Sequence, residues 1–63
     1  MFLEQVDKFS FATLPGFHYN KLPEIIDWLQ NNCTKYNVID NEGKFYFIVG
    51  NINESLMFKL KWF

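Results

Sequence analysis

Near the middle of the chain, Lys44 to Val49 reads KFYFIV, and the residues from Phe45 onward are apolar on both faces of any strand they form. Side chains alternate along a strand, so Phe45, Phe47 and Val49 share one face and Tyr46 and Ile48 share the other. Such a strand is either central and covered on both sides, or it offers an aromatic face to something else. The preceding segment, Tyr36 to Ile39, is aromatic and β-branched, and Asp40-Asn41-Glu42-Gly43 between them is rich in turn residues. The unit predicts an antiparallel hairpin.

The clearest helical pattern lies upstream. Leu22, Ile25, Ile26, Leu29 and Cys33 recur at the spacing of one helix face, with Trp28 at its flank and Glu24, Asp27 and Gln30 toward the other side. Asn20 is placed to cap this helix. Pro23 is tolerated in the first turn, where backbone N–H groups lack partners in any case. Asn31-Asn32 are stop signals, so the helix is predicted over residues 21–32. Before it, Thr13-Leu14-Pro15-Gly16 reads as a turn. The segment containing Phe9-Ser10-Phe11 reads as a strand with both rings on one face.

The last segment is ambiguous by periodicity. Leu56, Phe58, Leu60 and Trp62 alternate with Met57, Lys59 and Lys61, as in a strand. Ile52, Leu56, Leu60 and Phe63 are also spaced for one helix face. A cap at Asn53 and the lack of β-branched residues beyond it favour a helix over residues 53–60. The expected fold is therefore α+β and a single domain over residues 1–63, a small antiparallel sheet with helices on one face. Its order is β-α-β-β-α, a truncated form of the split β-α-β unit, with a terminal strand as the alternative ending.

At 63 residues the chain buries a smaller share of its surface than a larger domain would. Thirteen aromatic side chains compensate, because each ring buries much area. The single cysteine, Cys33, excludes an internal disulfide. No apolar run approaches the roughly 18 residues of a membrane span, and no basic amphipathic helix stands out, so no membrane association is expected. The first residues lack the basic and apolar regions of a signal peptide, and a cytoplasmic location is expected.

Catalytic chemistry has little to work with. His18 is the only histidine, and Ser10 and Ser55 are the only serines. Cys33 falls on the apolar helix face, where a free cysteine ordinarily packs as a small hydrophobe. Gly16, Gly43 and Gly50 are isolated and form no phosphate-binding loop, and no metal-ligand spacing is present. The chain reads as a non-enzyme without cofactor or metal.

Nucleic acid is a weak prospect. Formal net charge is −1, and the chain has no arginine, the usual residue for bidentate phosphate and base recognition. Gly43 to Val49 nevertheless resembles the RNP1 strand of the RNA-recognition motif, and Phe9 to Pro15 resembles its RNP2 partner. That resemblance implies a single-stranded RNA-binding module with Phe45 and Phe47 stacking on bases. Tyr46 stands where the motif carries a small residue, and Ser10 where it carries an aromatic one.

Protein binding is the stronger expectation. So many aromatics exceed what two helices easily cover, and exposed aromatics are the usual anchors of interfaces. The candidate partner-binding residues are Phe17, Trp28, Phe45, Tyr46, Phe47, Trp62 and Phe63, and a homodimer that completes the sheet edge or covers its exposed face is a further expectation. The final stretch, with Glu54, Ser55, Phe58, Lys59, Leu60, Lys61 and Trp62, resembles the ending of small uncharacterised proteins of tailed bacteriophages. The resemblance implies a phage accessory protein. It would occlude or adapt a host or phage protein in the host cytoplasm, or else form a minor oligomeric virion component.

Overall fold

The structure is a computed structural model of the chain and describes residues 2–63. Its elements run β1 (Leu3–Asp7), β2 (Ser10–Thr13), α1 (Leu22–Asn32), β3 (Tyr36–Asn41), β4 (Lys44–Val49) and α2 (Ile52–Trp62), with a 3₁₀ turn at Tyr19–Lys21 leading into α1. The fold is α+β as expected: a four-stranded antiparallel sheet in the order β1-β2-β4-β3, with both helices on one face.

The order β-α-β-β-α is corrected to β-β-α-β-β-α. What reads as one N-terminal strand is a hairpin, because the chain reverses at Lys8-Phe9. The Asp7 carboxylate accepts a hydrogen bond from the Phe9 N–H at 2.9 Å, an Asx turn that bends the chain without glycine or proline. Phe9 therefore sits in the turn and is partly exposed, whereas Phe11 is fully buried in β2. The corrected topology is two successive ββα units. The second strand of each hairpin, β2 and β4, pairs with the other at the centre of the sheet. Each is followed by a helix of 11 residues.

The second hairpin forms as expected, with its reversal confined to Glu42-Gly43. Asn41 pairs with Lys44, and both loop residues have positive φ, 54° and 82°. This is the two-residue turn whose twist matches the flanking strands. The Asp40 carboxylate accepts from the Gly43 N–H at 3.0 Å, and the Tyr19 hydroxyl donates to the Gly43 carbonyl at 2.7 Å. Gly43 suits this conformation, while Glu42 holds it against the steric preference of an L-residue.

Both helix starts differ from the sequence reading. No side chain caps α1. The 3₁₀ turn enters it directly through Lys21, and Pro23 lies in the first turn. At its end Asn31 and Asn32 donate side-chain N–H groups back to the carbonyls of Asp27 and Trp28, one turn earlier. The final element is a helix rather than a strand, and its cap is Asn51, not Asn53. The Asn51 side chain accepts from the N–H groups of Asn53 and Glu54, so α2 starts earlier, at Ile52, and continues to Trp62.

The core lies between the sheet and the helices. Phe11 and Phe47 are register partners on β2 and β4 and stand side by side on the covered face. Phe58 of α2 stacks on Phe11 with centroids 4.5 Å apart and meets Phe47 at 5.9 Å. Trp28 of α1 meets Phe58 edge-on at 5.9 Å. Leu3, Phe17, Ile25, Leu29, Cys33 and Val49 complete the buried cluster. Ser55, buried on the same side of α2, donates its hydroxyl proton to the Lys8 carbonyl and pins the helix to the β1–β2 turn. Glu54 accepts from the Thr34 N–H and hydroxyl, tying the start of α2 to the segment that follows α1.

Two consequences are measurable. Phe58→Ala should cost about 3–5 kcal/mol, the usual range for emptying a buried phenyl site. A loss below 1.5 kcal/mol in urea unfolding would contradict Phe58's central role. Glu42→Asn, which tolerates the left-handed region, should stabilise by about 1 kcal/mol. In a domain this small that corresponds to a rise in Tm of roughly 4–8 °C by circular dichroism.

Candidate protein-interaction surface

The same interior decides which aromatics reach the surface. Phe47 is fully buried, and Phe45 packs half-buried against the core cluster, because both point toward the helices. A base has no access to Phe47 in this fold, so the stacking pair implied by the RNP1 resemblance is not presented. Phe17 is buried between Phe2 and Tyr19, each of which meets it edge-on. Trp28 and Trp62 are half-buried at the edge of the core. The Lys61 ammonium lies 5.4 Å from the centre of the Trp62 ring, and the buried Trp62 indole N–H has no hydrogen-bond partner among the described residues.

Tyr46 occupies the opposite, uncovered face of the sheet. Register places Glu4, Ala12, Tyr46 and Ile39 in one row across it, with Ser10, Ile48 and Asn37 in the next. The face is mixed. Lys44 pairs with Glu4 at 3.4 Å and lies 5.7 Å from the centre of the Tyr46 ring, so charge borders the ring on the strand where it sits.

The largest apolar exposure is on α2. Turning Ser55, Phe58 and Trp62 toward the core leaves Ile52, Leu56, Met57, Leu60 and Phe63 outward. Ile52, Leu56 and Leu60 follow each other at four-residue steps and make one stripe, which Phe63 extends. Leu60 is 86% exposed and Leu56 54%, values unusual for leucines side by side on a folded surface. Leu56, Leu60 and Phe63, with the stem of Lys59, line an open groove of about 500 Å³. The Lys59 ammonium donates to the Gln5 side chain at 3.0 Å, which draws its charge toward β1 and leaves the groove apolar. Phe63 meets Phe11 edge-on at 5.6 Å, connecting the outer stripe to the core.

Of the residues singled out from sequence, Phe63 lies in this stripe and Tyr46 lies on the open sheet face. Phe17, Trp28, Phe45, Phe47 and Trp62 belong to the core or its edge. The stripe's remaining members were not among the expected partner-binding residues. The signal was present in the helical spacing of Ile52, Leu56, Leu60 and Phe63, but that face reads equally well as the inward one.

The reactive groups are dispersed. His18 is exposed in the loop before the 3₁₀ turn. Cys33 is buried at the end of α1, and burial raises its thiol pKa above the ordinary 9.0, with Glu54 adding repulsion. The thiol therefore keeps its proton at neutral pH and is a poor nucleophile. Among the described residues, no group of three or more His, Cys, Asp and Glu side chains is arranged to hold a metal ion. No helix among them is long and apolar enough to cross a membrane. No protein-family model matches the chain, and no curated protein and no solved structure is found to be similar to it.

The Cys33 shift has a defined sign. Above the unfolded pKa the unfolded chain sheds the thiol proton while the folded chain retains it, so stability falls as pH rises through the alkaline range. The stability of wild type minus that of Cys33→Ala should therefore decrease between about pH 8 and pH 10. Urea unfolding at several pH values measures it. A difference that grows with pH would contradict the assignment.

Proposed function

We propose that this chain is a small non-enzymatic binding module that docks on a partner protein through the outward stripe of α2. One observation carries the reading: α2 spends Ser55, Phe58 and Trp62 on the core and still presents Ile52, Leu56, Met57, Leu60 and Phe63 to solvent. A helix that served only to cover the sheet would carry polar residues there. Large apolar side chains on a rigid element, one of them aromatic and beside a groove, are the usual anchors of protein recognition. The mode that fits is helix-in-groove, with Ile52, Leu56 and Leu60 as successive anchors.

The action would be occlusion or adaptation of the partner, since the dispersed reactive groups support no chemical step. The resemblance of Glu54 to Trp62 to phage protein endings supports a phage accessory role, with a host or phage protein as target in the bacterial cytoplasm. RNA binding finds less support, because Phe45 and Phe47 face the helices.

Capture from bacterial lysate with the wild-type chain and with a Leu56→Asp, Leu60→Asp variant tests the proposal. The wild type should retain a protein partner at near-equal stoichiometry by mass spectrometry. The variant should fold normally by circular dichroism and lose that partner, with the purified pair binding at least about tenfold more weakly. A partner held equally by both chains would refute the docking surface. Steeply salt-dependent binding to single-stranded RNA, abolished by Tyr46→Ala, would replace the proposal with a nucleic-acid one.

A further inference from the structure

The two edges of the sheet are not alike. β1 is guarded: its register shifts between Gln5 and Asp7, and the Gln5 side chain donates to the Asp7 carbonyl at 3.2 Å, occupying an edge acceptor. β3 carries none of these devices. It pairs with β4 without a break from Tyr36 to Asn41, and it contains no proline and no lysine.

The bonding of β4 shows which backbone groups of β3 are free. The Val49 N–H donates to the Phe9 carbonyl and the Phe45 N–H to the Thr13 hydroxyl, so the odd-numbered residues of β4 bond toward β2. The even-numbered ones bond toward β3, and just beyond them the Gly50 N–H donates to the Lys35 carbonyl at 3.0 Å. Through the register, Asn37, Ile39 and Asn41 bond to β4, and the N–H and C=O groups of Tyr36, Val38 and Asp40 point out of the sheet. No hydrogen bond reaches those groups among the described residues.

An apolar seam runs beside this edge. Tyr36 and Val38 point toward the helices and are only half-buried. α2 lies over β1 and β2, where Lys59 meets Gln5 and Phe63 meets Phe11, so α1 covers the β4–β3 half. Trp28 turns toward α2. Ile26, two positions away and so about 200° round the helix, flanks the opposite side, toward β3, and is also half-buried.

We infer that two copies of this chain pair antiparallel along β3 about a two-fold axis at Val38, joining their sheets into one. That register sets Val38 against Val38 and Tyr36 against Asp40 of the second copy, and it uses every outward N–H and C=O of the strand. The two Asp40 carboxylates lie at opposite ends, each bracing its own turn, so like charges do not meet. A register shifted by one residue opposes free groups with groups already bonded to β4, and a shift of two leaves part of the ladder unpaired. A second β3 is the fitting occupant because it is already held extended, whereas a flexible peptide must first be ordered. It also brings its own Ile26, Tyr36 and Val38 to the seam. Opposed residues share a face, so both helix layers stay on one side of the joined sheet. The α2 stripes take no part in the pairing, and the dimer offers two of them to a partner.

Sedimentation equilibrium of the full chain tests the pairing. Wild type should shift from monomer to dimer between about 1 μM and 1 mM. Val38→Pro, a change that an edge strand tolerates where the N–H faces outward, should weaken dimerisation at least about tenfold with an unchanged circular dichroism spectrum. Leu56→Asp with Leu60→Asp should leave it unchanged. Cross-linking reads the register without the proline. In a Cys33→Ser background, a mixture of Asn37→Cys and Ile39→Cys chains should oxidise to the mixed disulfide, because positions 37 and 39 of opposite copies form a close pair. Either variant alone should not, since like positions lie about 8 Å apart. A wild type monomeric up to about 1 mM overturns the inference. So does a dimer that survives Val38→Pro, one that is lost with the α2 stripe, or one that cross-links position 37 to itself as readily as to 39. Partner capture that depends on Leu56 and Leu60 stands or falls separately.

Discussion

The ring of Phe58 is the constraint on which the structure depends. It is the side chain of α2 that touches both central strands, through Phe11 and Phe47, and it also meets α1 through Trp28. A chain of 63 residues has room for few such junctions. Placing one phenyl ring where three elements converge gives each of them a packing partner at once, and offset aromatic geometry adds to the area that burial removes from water. The rotation of α2 about its own axis then follows. With Phe58 inward, Ser55 meets the Lys8 carbonyl, Trp62 reaches the edge of the core, and Leu56 and Leu60 must point away.

The exposed stripe is thus a consequence of how the core is built. The two faces of α2 compete for one interior. The Phe58 face prevails because Phe11 and Phe47 are paired opposite it and the Ser55 hydroxyl finds an acceptor there. The other face is as apolar, and its side chains stay exposed among the described residues. Water contact at Leu56 and Leu60 raises the free energy of the isolated fold only through the burial that it forgoes. A partner that covers them recovers that burial. On the proposed reading, function lies in apolar surface that the fold leaves unused, while the Cys33 thiol packs in the core and Asp7 and Asp40 brace turns.

Particular residues mark how far the sequence could be read. The helix at Leu22–Asn32 and the hairpin around Gly43 were legible because their signals are local: a repeating apolar face, a proline in the first turn, and turn residues flanked by β-branched ones. The β1–β2 hairpin was not, because its reversal at Lys8-Phe9 uses an Asp side chain in place of glycine or proline. The cap at Asn51 was missed in favour of Asn53, since the two asparagines stand two residues apart and only backbone geometry selects between them. The repetition of the ββα unit has no trace in the residues, because β2 and β4 share pairing geometry without sharing a pattern. The burial of several expected partner-binding residues was not legible for a related reason. Phe45, Phe47 and Phe17 are aromatic, and composition alone does not tell a core ring from a surface one.

By itself, the sequence determined that this chain forms a small α+β domain with an aromatic interior, that Phe45, Phe47 and Val49 share a strand face, and that Ile52, Leu56, Leu60 and Phe63 share a helix face. Those are statements of period, and period is local. Only the tertiary structure decided which face of each element is inside. For β4 it is the Phe47 face, because both helices lie there. For α2 it is the Phe58 face and not the leucine stripe, because Phe11 and Phe47 meet across the central strand pair and leave a site that a phenyl ring fills. That choice depends on residues more than forty positions apart in the chain, and no spacing within a helix encodes it.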